Sequence, residues 1–181
     1  MKLLLHVCCG PCSTHVIKEL MNEHSVVLFW SNPNIFPKDE YSRRLKQAKK
    51  MAEVHGLSLI EDDYDHQSWL EAVSGFEDEP EGGLRCAKCF EFNLNRTAEY
   101  AVTHDLEGFT TTLTISPHKD STKISEIGEM LAEERGVIFL AQNFKKKDGF
   151  RHSIELSKKH GLYRQDYCGC EFSRSIASPK E

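Results

Sequence analysis

The sequence predicts an α/β protein in which a parallel sheet is covered by helices on both faces. Short apolar runs alternate along the chain with stretches whose apolar residues recur every three or four positions, as in amphipathic helices. The apolar runs have the length of strands and few polar positions, which is typical of strands buried on both faces. This alternation favours a three-layer, Rossmann-like architecture, followed by a helical C-terminal tail.

The first half of the chain predicts three strands and two helices. Two prolines within residues 31–37 indicate a loop between the second strand and the second helix. Gly56 ends that helix, because glycine readily adopts the left-handed conformation found at many helix ends. The predicted strands are residues 2–7, 25–30 and 57–60, and the predicted helices are residues 14–21 and 39–55.

The second half continues the same alternation. Residues 109–115 are rich in β-branched side chains and predict a fourth strand. In parallel sheets of this kind the functional site lies beyond the carboxyl ends of the strands. The turns after the first, second and fourth strands should therefore converge. The other predicted elements are a helix from residue 85 to about residue 104, a helix marked by residues 124, 127 and 131 and closed by Gly136, and a strand at residues 137–141.

The length and composition favour a cytoplasmic protein. A chain of 181 residues is long enough for a single domain, residues 1–181, with a substantial core. No apolar run reaches the length of about 18 residues that a spanning helix needs, so we expect no membrane partner. Seven cysteines in a reducing compartment indicate metal or redox chemistry rather than a disulfide framework.

The charge is unevenly distributed. The net charge is −5, and residues 61–81 contain nine acidic residues and no Lys or Arg. Residues 38–50 contain six basic residues against two acidic ones, and residues 145–164 contain seven against two. Phosphate contacts act locally, so these two basic stretches can bind a polyanion despite the net charge. The alternative is that they are ordinary solvated helix faces.

The cysteines fall into three clusters, at positions 8, 9 and 12, at 86 and 89, and at 168 and 170. The first cluster lies on a strand-to-helix turn, where Gly10 permits an unusual backbone conformation and Pro11 suits the start of the helix. The positive end of that helix should favour thiolate over thiol.

Three chemistries remain open for these cysteines. Cys9 and Cys12 have the spacing of a thioredoxin-like dithiol, and four of the seven thiolates could close a structural zinc site. The third possibility is an iron–sulfur cluster, whose cubane form needs four thiolates. The expected cluster ligands are Cys8, Cys9, Cys86 and Cys89; Cys168 and Cys170 would form an adjacent metal or redox pair, and Cys12 would be a spare or redox thiol.

Several segments together resemble the cobalamin-independent epoxyqueuosine reductase family, over residues 6 to about 173. The segments are residues 6–12, 31–35, 85–89, 111–117 and 163–170. The resemblance implies a [4Fe–4S] cluster without cobalamin, and it allows a second iron beside the cluster. It also implies reduction of epoxyqueuosine to queuosine at the wobble position of a tRNA with a GUN anticodon, with electrons from an external donor.

The resemblance also suggests roles for individual residues. Cys168 and Cys170 would hold the reactive metal, and the proton would come from His118, Tyr163 or Asp166. The modified nucleoside would meet Asn32, Asn34, Arg44 and Arg164. The basic stretches 38–50 and 145–164 would bind phosphates of the anticodon stem. His6 lies inside a strand and is expected to be a core residue.

Two alternatives from other classes are kept open. The order of elements also resembles the nucleotide-hydrolase-like (HUP) enzymes that adenylate tRNA bases. Their Ser-Gly-Gly-x-Asp-Ser phosphate loop is replaced here by residues 8–13, so we expect the shared architecture but not ATP binding. The other alternative is a zinc-bearing RNA-binding module without enzymatic activity.

Overall fold

The sheet has five parallel strands in the order β3-β2-β1-β4-β5, which confirms the predicted fold class. The structure is a computed structural model that describes residues 1–176; the predicted single domain extends to residue 181, and its last five residues lie outside this range. The strands are β1 (Lys2–His6), β2 (Ser25–Trp30), β3 (Leu59–Glu61), β4 (Gly108–Thr111) and β5 (Ile138–Phe139).

Seven helices are described within residues 1–176. A short helix in the acidic stretch, α3, was not predicted. None of the described helices is long and apolar enough to cross a bilayer. The helices are α1 (Gly10–Leu20), α2 (Lys38–His55), α3 (His66–Ala72), α4 (Leu84–Thr103), α5 (Ser121–Arg135), α6 (Gly149–Lys159) and α7 (Glu171–Ile176).

Two separate cores cover the two faces of the sheet. Successive side chains of a strand point to opposite faces. Leu3 and Leu5 of β1 accordingly pack with α1 and α2, whereas Leu4 packs with α4 and α5. All three are fully buried. The strand is therefore apolar throughout, as expected for a parallel sheet between two helical layers.

The fourth strand is shorter than the threonine-rich sequence predicts. It ends at Thr111, and a 3-10 turn follows from Thr112 to Ile115. The Thr111 hydroxyl accepts a hydrogen bond from the Leu113 amide at 3.1 Å, and the Thr114 hydroxyl donates to the Gln142 carbonyl at 2.8 Å. These hydroxyls satisfy backbone groups locally, which favours a turn over continued strand.

Gly10 is required for a close approach between helices, not for an unusual backbone conformation. Its φ is not in the left-handed region, so that expectation is wrong. A Cβ atom at Gly10 would lie 2.5 Å from Cβ of Gln47 and 2.9 Å from its backbone carbon. Glycine therefore lets the start of α1, with its three cysteines, pack directly against α2.

Candidate metal centre

Three thiols lie together at the carboxyl end of β1. The sulfur atoms of Cys8, Cys9 and Cys12 are all within 4.8 Å of one another. Cys9 is the N-cap of α1, and its sulfur accepts a hydrogen bond from the Cys12 amide at 3.2 Å. Cys9 and Cys12 are paired as a disulfide, with Cα atoms 5.4 Å apart. In the reduced protein these residues would present three thiols around one point.

Four more thiols line a second cavity beside the first group. Cys86 and Cys89 lie in the first turns of α4, and Cys168 and Cys170 come from the tail that follows α6. Cys86 and Cys89 each interact electrostatically with both tail cysteines. Segments separated by about 80 residues of chain therefore contribute sulfur atoms to the lining of one cavity.

The two groups are adjacent but differ from the predicted ligand sets. Cys8, Cys12, Cys89 and Cys168 line a common cleft, and Cys8 interacts electrostatically with Cys168. The sequence-based assignment joined Cys8 and Cys9 to the α4 pair. The geometry instead groups Cys8 and Cys9 with Cys12. All seven cysteines nevertheless converge at the carboxyl edge of the sheet.

Burial raises the pKa of three thiols, Cys8, Cys86 and Cys89. For Cys8 burial outweighs the opposing effects of Lys119 and the Thr112 hydroxyl, so the pKa of this thiol is raised, contrary to the effect expected from the helix end. Metal binding requires thiolates, so loading of this centre should release protons.

Lys119 is a site residue that the sequence analysis missed. It lies in the loop before α5 and borders both cavities. Burial disfavours its charge, but the sulfur atoms of Cys168 and Cys8 and the Glu81 carboxylate outweigh burial and raise the pKa of the ammonium. The approach of the ammonium to the Cys168 sulfur adds to this rise of the pKa. A fixed positive charge thus lies between the two sulfur groups.

Unpaired buried donors surround the four-thiol cavity, which suits an anionic group. The Trp69 indole N–H faces the Cys89 sulfur but, among residues 1–176, has no hydrogen-bond partner at ordinary distance. Arg85 is 2% exposed, and its Nε and Nη2 atoms likewise have no described partner. Cluster sulfurs and thiolates accept such hydrogen bonds. The residues present therefore fit an iron–sulfur cluster.

The structure places three of the four residues predicted to bind the substrate at the cleft. Asn32, Asn34 and Arg164 line the cleft. Asn32 donates to the Val7 carbonyl at 2.8 Å, and Asn34 accepts from the Asn93 amide at 3.0 Å. Arg44 is not among the residues that line the cleft; it is 2% exposed and hydrogen-bonds within the protein.

Two of the three candidate proton donors also lie at the cleft. His118 and Asp166 line the cleft from opposite segments of the chain. The Tyr163 hydroxyl instead donates to the Glu40 carboxylate at 3.1 Å, outside the lining of the cleft. His6 is fully buried and hydrogen-bonds to the Thr111 hydroxyl and the Ser31 carbonyl, which confirms it as a core residue.

The fold and the site define a Rossmann-like α/β protein with a candidate metal–thiolate centre at the topological switch between β1 and β4. A family described as epoxyqueuosine reductase QueH matches residues 3–175. The chain belongs to this family.

Curated relatives named epoxyqueuosine reductase QueH cover nearly the whole chain. The protein from Haemophilus influenzae is 40% identical over 174 residues, which are 95% of this chain and 71% of that protein. The Streptococcus pyogenes protein is 37% identical over 180 residues, covering 96% and 71%. The Thermotoga maritima protein is 37% identical over 174 residues, covering 94% and 89%.

Two solved structures share the fold at low sequence identity. One is described as a predicted subunit of tRNA methyltransferase from Methanocaldococcus jannaschii, with a TM-score of 0.55, 14% identity and coverage of 83% of this chain and 73% of that one. The other is the U34-tRNA thiolase NcsA from Methanococcus maripaludis with its [4Fe-4S] cluster, with a TM-score of 0.53, 12% identity and coverage of 98% and 63%.

Proposed function

We propose that this protein reduces the epoxide of epoxyqueuosine to the alkene of queuosine in tRNA. In this reaction two electrons and two protons enter, one oxygen atom leaves as water, and the ring gains a double bond. The observation that carries the proposal is the convergence of three cysteine segments on one cleft in a chain of the epoxyqueuosine reductase family.

The geometry favours a revised assignment of the ligands. Two thiolates bound to one ion at about 2.3 Å lie about 4 Å apart, which suits the tight group of Cys8, Cys9 and Cys12. A four-iron cluster needs four thiolates, which Cys86, Cys89, Cys168 and Cys170 supply around one cavity. When bound, a cluster supplies single electrons and an iron ion supplies a Lewis acid for the epoxide oxygen.

The residues around the cleft support the remaining steps. His118 and Asp166 border the cleft and are the candidates for protonating the departing oxygen. Asn93 also borders the cleft, and its side-chain amide donates to the Asn34 side-chain oxygen at 3.0 Å, which orients Asn34. Asn32, Asn34 and Arg164 complete the proposed nucleoside site.

The partners follow from the same proposal. The substrate would be a tRNA with a GUN anticodon, and an external donor would supply the electrons. Exposed basic side chains of the stretch 145–164, including those of Lys146, Lys147 and Arg151, are available to bind the phosphates of the tRNA. A tRNA substrate and thiol ligands both fit a cytoplasmic protein.

The activity is tested with anaerobically reconstituted protein, dithionite and tRNA that carries epoxyqueuosine. Mass spectrometry of the released nucleosides should show loss of one oxygen atom. A preparation with a full complement of iron and sulfide that leaves the epoxide intact would reject the proposal.

The ligand assignment is tested by single Cys→Ser variants and anaerobic spectroscopy. Replacing Cys86, Cys89, Cys168 or Cys170 should abolish the visible absorbance of the cluster, whereas Cys12→Ser should retain it. If the absorbance instead depends on Cys8 and Cys9 and survives in Cys168→Ser and Cys170→Ser, the original sequence-based assignment is correct.

The dithiol function is a second candidate, favoured by the pairing of Cys9 with Cys12. Cys9 is fully buried, so only Cys12 can meet a partner in the cleft. A dithiol enzyme would be colourless and would keep its oxidoreductase activity after iron removal. A brown protein that loses activity with its iron excludes this candidate, and a colourless zinc-loaded protein would favour the RNA-binding module.

A further inference from the structure

The tail loop, residues 160–170, contains no helix or strand, although it carries Cys168 and Cys170. No sheet ladder fixes Cys168, whereas Cys170 hydrogen-bonds to Ser173 at the start of α7. Between Tyr163 and Cys168 the placement of the loop therefore depends mainly on side-chain contacts. Four side chains on one face of α2 provide such contacts, at the three- and four-residue spacing that places them side by side. This latch face consists of Glu40, Arg43, Arg44 and Gln47.

Arg44 makes the contacts nearest to the cysteines. Its Nη1 atom donates to the Cys168 carbonyl at 2.7 Å, and its Nη2 atom donates to the Tyr167 carbonyl at 3.2 Å. Its Nε atom donates to Glu40 at 2.7 Å. The guanidinium also lies 4.9 Å from the centre of the Tyr167 ring. The planar fork thus joins two successive carbonyls of the tail loop to α2.

The start of the loop is held by the rest of the latch face. Gln47 accepts a hydrogen bond from the Tyr163 amide at 3.1 Å, and Arg43 lies 3.5 Å from the centre of the Tyr163 ring. Glu40 accepts from the Tyr163 hydroxyl while it also pairs with Arg44. Both ends of residues 163–168 are therefore bound by one helix.

Gly169 shows how closely the loop approaches Arg44. Its φ is +139°, and an added Cβ would lie 3.0 Å from Nη1 of Arg44. The Gly169 carbonyl accepts a hydrogen bond from the Phe36 amide at 2.8 Å. The chain between the two cysteines is thus closely fitted against the guanidinium, and a side chain there would be crowded as well as strained by the positive φ.

We propose that Arg44 is a positioning residue that places Cys168 and Cys170 at the four-thiol cavity, rather than a substrate-binding residue. A buried guanidinium whose donors bind protein carbonyls and a carboxylate is not available to a phosphate or a base. The inference relies on the proposed function only in taking the two tail cysteines as metal ligands.

The test uses the full chain after anaerobic reconstitution and again after iron removal under reducing conditions. Arg44→Gln should speed amide exchange in residues 163–170 by about tenfold or more, as expected for the loss of charged hydrogen bonds. It should also lower bound iron and change the electron paramagnetic resonance spectrum of the reduced cluster. Arg44→Lys should show most of the changes seen in Arg44→Gln, because an ammonium cannot bridge both carbonyls and Glu40.

The matched control is Arg96→Gln. Arg96 is only partly buried, but like Arg44 it donates to a carboxylate, that of Asp62 at 2.6 Å, and the hydrogen bonds described for it do not reach the tail loop. This variant should leave tail exchange and the cluster spectrum unchanged. Equal changes in both variants would show a general loss of stability and overturn the proposal.

Gly169→Ala tests the same contact from the tail, in case Arg44→Gln does not fold. It should speed exchange in the tail loop and alter the cluster spectrum, with exchange in β1 and β4 unchanged. The proposal would be overturned if either variant kept the tail exchange and the iron content of the parent while Arg44→Gln bound tRNA more weakly. Arg44 would then be an RNA contact. Because exchange and spectra do not depend on turnover, this failure is distinguishable from failure of the proposed reaction.

Discussion

Thr112 binds both the amide and the thiol of Cys8. The Cys8 amide donates to the Thr112 hydroxyl at 2.9 Å, and the same hydroxyl lies 3.1 Å from the Cys8 sulfur as a donor. The two residues are 104 positions apart, so one hydroxyl joins the carboxyl ends of β1 and β4 at the point where the sheet reverses its order. This is where an open α/β sheet places its site.

Thr112→Val should destabilise the protein by about 1–3 kcal/mol, because it leaves the buried Cys8 amide without an acceptor. Thr112→Ser keeps the hydroxyl and should lose less stability than Thr112→Val. Urea unfolding of the reduced, metal-free protein measures both. Equal stability of the valine and serine variants would show that the hydroxyl does not hold Cys8.

Gly10→Ala should cost about 1–3 kcal/mol by overpacking, since the new methyl group would overlap Gln47 of α2. Gly56→Ala is the control: its φ is +63° and nothing lies within 4 Å of the added carbon, so only backbone strain remains. Gly10→Ala should therefore also displace the cysteine turn and lower metal binding, whereas Gly56→Ala should affect stability alone. Normal iron content in Gly10→Ala would contradict this explanation.

His6 should make stability depend on pH below neutrality. Burial lowers the pKa of His6 from 6.5 to about 4, against the effect of its hydrogen bond with the Ser31 carbonyl. The unfolded chain therefore binds a proton that the folded chain excludes, so this contribution is complete above pH 6.5 and is lost as the pH falls towards 4. The shift corresponds to about 3 kcal/mol.

The measurement compares the metal-free parent with His6→Gln by urea unfolding between pH 7 and pH 4. The variant should be less stable at pH 7, and its stability should fall less steeply with decreasing pH. Parallel curves for the two proteins would show that His6 does not titrate in this range.

Lys119 should raise the reduction potential of a cluster in the four-thiol cavity, because a nearby positive charge favours the more negative, reduced form. Lys119→Gln should lower the midpoint potential by an amount on the order of 50 mV. Lys119→Arg keeps the positive charge and should leave the potential close to that of the parent. A redox titration followed by electron paramagnetic resonance gives the values. Identical potentials in the parent and the glutamine variant would place the cluster elsewhere.

Periodicity predicted the sheet and the meeting of the turns after β1, β2 and β4, because alternating apolar strands and helices determine which turns share an edge. It did not predict which sulfur atoms lie nearest to one another, since spacing along the chain carries no information about the direction of Cys168 and Cys170. Lys119 was missed because a lysine in a polar loop looks solvent-exposed in sequence. Arg44 lay in a basic stretch, and only the packed tail reveals that its donors are occupied.

The basic stretch 145–164 should account for the salt dependence of tRNA binding. Lys146, Lys147 and Arg151 are exposed near the cleft that Phe150 and Arg164 line. Each phosphate contact that is lost should reduce the slope of log affinity against log salt by about 0.7–0.9. Replacing these three residues by glutamine should therefore lower the slope by roughly two and weaken binding mainly at low salt.

Lys18→Gln provides the control for that series. Lys18 is exposed in the last turn of α1, and α1 begins at the carboxyl edge of the sheet, so Lys18 lies at the end away from the cleft. The control removes one positive charge from the whole molecule without removing it from the proposed RNA surface. A slope that falls equally per charge in both proteins would indicate a nonspecific effect of net charge, whereas a fall confined to the triple variant would locate the RNA on the α6 side of the cleft.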